Sequence, residues 1–137
     1  MKEYEIDGWF RLTYPEHYEY SEEEDYVSFY STEADAQGTL QISIYESEDS
    51  QEPKQSAMSE LNTFLGEFPI DVKIAPSVTT ETSDMTTAYA SGIEDGMHLD
   101  VWSLTDGKRL LFLTYVADQV TNEKMEIESI IDSIEWT

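Results

Sequence analysis

The sequence contains no cysteine, which excludes disulfide bonds, thiolate nucleophiles and cysteine-ligated metals. Histidine is also rare: His17 and His98 are the only two, and they do not form a closely spaced metal-binding pair. The chain has no Gly-x-Ser-x-Gly sequence and no glycine-rich phosphate loop. We therefore predict no metal, no cofactor and no catalytic nucleophile.

Basic residues are scarce as well. Seven Lys and Arg stand against 30 Asp and Glu, so the formal net charge at pH 7 is -23. A surface this negative repels phosphate backbones and anionic lipid head groups, so we predict neither nucleic acid nor membrane as a partner. A protein or peptide partner, if there is one, is expected to be basic.

Long apolar runs are missing too. The longest runs from Leu110 to Leu113, far below the length of a membrane span. No apolar stretch follows the charged start Met1–Glu5, so no signal peptide is predicted and we expect a cytoplasmic protein.

What the chain does contain is aromatic material: three Trp, nine Tyr and five Phe in 137 residues. That content and length predict one folded domain, 1–137, and not an acidic disordered tail.

The spacing of apolar residues predicts both strands and helices. A period of two predicts strands at 9–14, 26–30, 39–46, 73–82, 86–93, 97–104 and 109–117, whereas 16–25 is expected to be an acidic surface connection. The i, i+3, i+4 spacing predicts one helix over 57–68 and a second over 123–134, capped by Thr121 or Asn122. We therefore predict an α+β fold: a twisted antiparallel sheet of about six or seven strands with two helices packed on it, in the order βββαββββα.

Several segments resemble a known family. Residues 10–18, F-x-L-x-Y-P-x-x-Y, resemble the opening strand of PsbP-like and Ran-binding Mog-type proteins. Residues 106–115, DGKRLLFLTY, resemble their penultimate hairpin and long central strand, and residues 130–134, IIDSI, are similar to their closing helix. The resemblance covers nearly the whole chain in order and spacing. It implies an antiparallel sheet with packed helices and a non-enzymatic role, since members bind photosystem subunits, a small GTPase or secreted bacterial effectors.

The strand pattern also predicts a surface of aromatic rings. If the apolar residues of 39–46 face inward, Tyr45 faces outward. The same reasoning on 97–104 places His98 and Trp102 outward, and Tyr89 is expected to share their face. Trp and Tyr dominate the energetics of protein interfaces, so these four residues are the predicted protein contacts. The alternative is that the second helix covers this face and that its rings are ordinary core.

From these observations we predict a non-enzymatic protein-binding module, an adaptor or chaperone that docks a protein or peptide on the aromatic face. One alternative is an immunity or inhibitor protein that blocks a basic enzyme through its acidic surface, with association that weakens in salt. The other is a small hydrolase or metal-dependent enzyme that uses His98 and Asp100, which requires a concave pocket around His98.

Overall fold

The computed structural model describes residues 1–34, 36, 38–46, 52–118 and 123–137. These residues form ten strands and two helices. The strands are β1 (Lys2–Ile6), β2 (Phe10–Tyr14), β3 (Tyr18–Glu22), β4 (Tyr26–Ser31), β5 (Gly38–Glu46), β6 (Asp71–Glu81), β7 (Thr86–Glu94), β8 (Met97–Thr105), β9 (Arg109–Ala117) and β10 (Glu135–Trp136). The helices are α1 (Pro53–Glu67) and α2 (Glu123–Asp132).

The strands form two antiparallel sheets. The main sheet has seven strands in the order β3-β4-β5-β9-β8-β7-β6, and the second sheet has three in the order β1-β2-β10. The predicted α+β class and antiparallel sheet are confirmed. The predicted connection at 16–25 is wrong over β3, where Tyr18 is buried and pairs with Ser31 of β4. Glu19 and Glu22 lie on this edge strand and obscure the alternation of apolar and polar residues.

Strand register gives the main sheet two different faces. Ile42 of β5 pairs with Leu113 of β9, which pairs with Trp102 of β8, so these three side chains share one face. We call it the covered face, because it packs against the second sheet and α2 through a single cluster. That cluster includes Phe10 and Leu12 from β2, Ile127 and Ile130 from α2, and Phe29, Leu40, Ile42, Leu104, Leu111, Leu113 and Tyr115 from the main sheet.

The opposite face of the main sheet is covered only in part. Helix α1 packs against β6, β7 and β8, where Ala57 and Leu61 lie against Leu99 and Val101. Glu52 caps this helix, since its carboxylate accepts hydrogen bonds from the amides of Lys54 and Gln55 at 3.2 and 3.0 Å. The sheet is therefore closed on the β6–β8 side of this face.

Helix α2 begins at Glu123, whose carboxylate accepts hydrogen bonds from the Tyr115 hydroxyl at 2.9 Å and the Gly38 amide at 3.1 Å. A carboxylate in the first turn of a helix is favoured by the helix dipole. The predicted caps Thr121 and Asn122 lie outside the described residues. Among the described residues, neither helix combines the length and the apolarity needed to cross a bilayer.

Asp-Gly pairs occupy two hairpin turns, at 95–96 and 106–107. Asp95 and Gly96 join β7 to β8 with φ values of 52° and 78°, the left-handed conformation that a two-residue hairpin turn requires. The turn before β9 has Gly107 at φ 100°.

Arg109, at the start of β9, connects the two sheets. Its guanidinium lies 2.9 Å from Asp106 Oδ2 and donates to the carbonyl oxygens of Gly8, Trp9 and Thr137 at 3.2, 3.3 and 3.0 Å. It also lies 4.7 Å from the centre of the Trp136 ring. Burial opposes ionisation of Asp106, but the amides of Arg109 and Lys108 and the guanidinium outweigh it and lower the pKa of that carboxyl.

We expect Arg109→Met to destabilise the fold by about 2–3 kcal/mol, because hydrogen bonds to charged groups contribute about 1.5–3 kcal/mol and the cation–π contact adds less. The control is Lys108→Met, which makes the same change in net charge one residue away at an exposed side chain, with an expected cost below about 0.5 kcal/mol. Urea unfolding of both variants measures the difference. Equal losses would show that Arg109 does not hold the sheets together.

Candidate functional site

The four predicted contact residues do not share a surface. Tyr89 pairs with Trp102, and His98 lies two residues before Asp100 on the same side of β8, so these residues are on the covered face. Tyr45 pairs with Leu110, which pairs with Thr105, and this places Tyr45 on the opposite face. Trp102 is 5% exposed and Tyr45 is 56% exposed. The predicted common aromatic face is therefore wrong, and Trp102 is core.

The error has a physical cause. We predicted that Leu99 and Val101 lie on the same face as Leu40 and Ile42. Strand register instead places the first pair on one face of the sheet and the second pair on the other. Strand β8 is buried from Leu99 to Thr105, so its sequence does not show which side packs against which partner. Successive side chains of a strand point to opposite faces of the sheet. Assigning one residue of a strand to the wrong face therefore moves every side chain of that strand to the wrong face.

On the covered face, a cluster of polar groups surrounds Asp100, which is 0% exposed. The Tyr89 hydroxyl donates to Asp100 Oδ1, and His98 Nε2 lies 3.0 Å from Asp100 Oδ2. Lys124 Nζ, from α2, lies 3.3 Å from Oδ1 and donates to the Tyr89 hydroxyl at 3.0 Å. A buried carboxylate is tolerated only when it is paired in this way, so the cluster joins α2 to β7 and β8.

Two members of this cluster have shifted pKa values. Burial raises the pKa of the Tyr89 phenol, and the hydrogen bond to Asp100 raises it further, although Lys124 opposes both effects. Burial lowers the pKa of Lys124, but its contacts with Tyr89 and Asp100 outweigh burial, and the net shift is upward. The phenol and the ammonium therefore both keep their protons well above neutral pH.

A cleft of about 380 Å³ lies beside this cluster, between α2 and the β6–β8 part of the covered face. Neither His98 nor Asp100 lines it. The ring centres of Tyr89 and Trp102, which do line it, are 5.4 Å apart. The described lining residues are Ile74, Thr79, Thr80, Met85, Thr87, Tyr89, Trp102, Lys124, Glu128, Ile131, Asp132 and Ile134.

The part of the opposite face that α1 leaves uncovered carries a second candidate site, which we call the tyrosine face. It consists of the outward side chains of β3, β4 and β5. Register places Tyr26 beside Ser43, Tyr30 beside Thr39, and Tyr45 two residues beyond Ser43 on β5. Tyr45 is exposed, and Tyr26 and Tyr30 are half-buried. The full set is Glu19, Ser21, Tyr26, Ser28, Tyr30, Thr39, Gln41, Ser43 and Tyr45.

Sequence reasoning found only Tyr45 of this surface. The signal for the others was present, because Tyr26, Ser28 and Tyr30 alternate with the buried residues Val27 and Phe29. Strand β4 is buried on one side only, which makes its period of two easy to interpret.

The comparisons with known proteins bear on the fold. No family model matches the chain, and no curated protein matches it. A solved protein from Bacteroides thetaiotaomicron VPI-5482 is similar over 99% of this chain, with a TM-score of 0.63 and 17% sequence identity. The chain spans about half of that protein, 48% of its length. At this identity the similarity shows a shared fold alone.

The raised pKa of Tyr89 predicts a loss of stability in alkali. A tyrosine whose pKa is higher in the folded state stabilises the fold below its unfolded value of about 10, and this contribution is lost as the pH rises. The free energy of unfolding then falls with a slope of up to about 1.4 kcal/mol per pH unit for each such group. We expect Tyr89→Phe to reduce the slope above about pH 10.

The control for this measurement is Tyr45→Phe, which removes the hydroxyl of an exposed tyrosine. Tyr4, Tyr14 and Tyr18 also have pKa values raised by burial and contribute equally in every variant. Urea unfolding between neutral and alkaline pH gives the slopes. If Tyr89→Phe and Tyr45→Phe have the same slope, the buried Tyr89–Asp100 contact is not formed in solution.

Proposed function

We propose that this protein is a non-enzymatic binding module that docks a basic segment of a partner protein on the tyrosine face. The observation that carries this proposal is the half of the sheet face that neither described helix covers, with three tyrosines on it, in a chain of net charge -23. The proposal keeps the predicted class of function and retains only Tyr45 of the four predicted contacts, because the other three lie on the covered face.

The side chains of the tyrosine face suit a protein ligand. Tyrosine has a large rigid ring that loses little conformational entropy on binding, and its hydroxyl donates and accepts hydrogen bonds. Between the tyrosines lie small hydroxyl and amide groups, Ser28, Ser43 and Gln41. Such a surface binds a backbone and side chains without a deep pocket.

The charges around the face favour a basic partner. Glu19 is part of the face, and Glu46 and Glu60 line a cleft of about 270 Å³ beside Tyr45, where Lys108 is the basic lining residue. Arginine and lysine side chains bind over tyrosine rings through cation–π contacts. Attraction by the whole acidic surface accelerates encounter, and the tyrosines supply short-range contacts.

The resemblance to PsbP-like and Mog-type proteins supports a non-enzymatic role, since members of that family mostly act by binding. The contacts of Asp100 also support a non-enzymatic role. Three donors surround this buried carboxylate, and the cleft beside it is not lined by His98. A basic enzyme inhibited by this protein is one partner with the required chemistry.

We expect a fluorescently labelled arginine-rich peptide to bind the protein with an affinity that falls as salt rises. The double variant Tyr30→Ser, Tyr45→Ser is expected to weaken binding about tenfold, because truncating a central interface aromatic typically costs more than about 1 kcal/mol. Fluorescence anisotropy measures the dissociation constants.

The control variant is Tyr20→Ser, which removes a tyrosine that is 45% exposed but packs against Tyr4 on the other side of the sheet. It is expected to leave peptide affinity unchanged. Equal weakening by the control and the double variant, or binding that does not respond to salt, would contradict the proposed surface.

A further inference from the structure

We infer that the cleft beside α2 binds a small organic cation, an ammonium group attached to an apolar body. The cleft lies on the covered face, whereas the tyrosine face is on the other side of the same sheet. This inference therefore goes beyond the proposed function and does not depend on it.

The walls of the cleft fit an apolar body. Ile131 and Ile134 line it from the C-terminal part of the chain, and Ile74 and Met85 line it from β6 and the turn that follows. The rings of Tyr89 and Trp102 complete the wall. The volume of about 380 Å³ lies within the range of small-molecule sites, roughly 300–1,000 Å³.

The charges of the cleft fit a cation. Lys124, the one basic residue among the lining residues that the structure describes, is paired with Asp100 and Tyr89, so its charge is compensated. Glu128 and Asp132 remain, one helical turn apart on α2, and neither forms an ion pair with any described residue. Like charges at this spacing repel, and a bound cation would remove the repulsion.

The Trp102 ring adds a second reason for an ammonium ligand, whereas the Tyr89 ring already has the Lys124 ammonium 5.3 Å from its centre. A cation over the face of Trp or Tyr is attracted by the ring quadrupole, and this interaction strengthens when the cation is desolvated. An anionic ligand would instead meet two carboxylates, and the ammonium of Lys124 already faces Asp100 and the Tyr89 hydroxyl. The cleft therefore selects for positive charge and apolar area together.

Three compounds with the same phenyl body test this inference: phenethylammonium chloride, phenethyl alcohol and hydrocinnamate. Titrations followed by amide chemical shifts in NMR report both affinity and location. We expect the ammonium compound to shift amides of α2 and β6–β8, with the neutral alcohol at least severalfold weaker and the anion weaker still. The inference is overturned if the alcohol or the anion binds as tightly, if none binds, or if the shifts lie on the tyrosine face.

A pair of double variants tests the role of the carboxylates. Glu128→Gln with Asp132→Asn removes two exposed charges from the cleft and is expected to weaken binding of phenethylammonium about tenfold. Glu3→Gln with Glu5→Gln removes two exposed charges from β1 and is expected to have little effect. Equal weakening in both would mean that only the net charge attracts the cation, and it would overturn the site.

Discussion

The structure depends on the row of cross-strand contacts that runs from Ile42 through Leu113 to Trp102 at the centre of the main sheet. This row decides which side of the sheet packs against the second sheet and α2. Because side chains alternate along each strand, it also decides which tyrosines remain outside. The core, the cleft beside α2 and the tyrosine face all follow from this single choice of register.

Four of the seven basic residues lie where elements meet. Lys2 of β1 donates to the carbonyl oxygen of Tyr18 in β3, and Arg11 of β2 pairs with Glu135 of β10. Arg109 joins β9 to the second sheet, and Lys124 joins α2 to the main sheet. In a chain with 30 acidic residues these cations stabilise the contacts between elements. The excess of carboxylates makes the surface negative.

Much of the fold could be predicted from sequence, because β4, β5 and α1 each bury a single side and their periods are clear. Strands β1 and β3 were missed, since charged residues dominate short edge strands and obscure the alternation. The candidate site could not be predicted in the same way. The side on which Trp102 lies depends on pairing between β8 and β9, both of which carry buried side chains on both sides.

The two sides of the main sheet thus differ in chemistry, with a buried Asp100 cluster and an acidic cleft on one and partly exposed tyrosines on the other. Hydroxyl-radical footprinting of the free protein tests this assignment most directly, because it reports the exposure of each ring. We expect Tyr45 to be oxidised rapidly and Trp102 slowly, although tryptophan is intrinsically at least as reactive as tyrosine. Rapid oxidation of Trp102 together with protection of Tyr45 would contradict the register and every site placed on it.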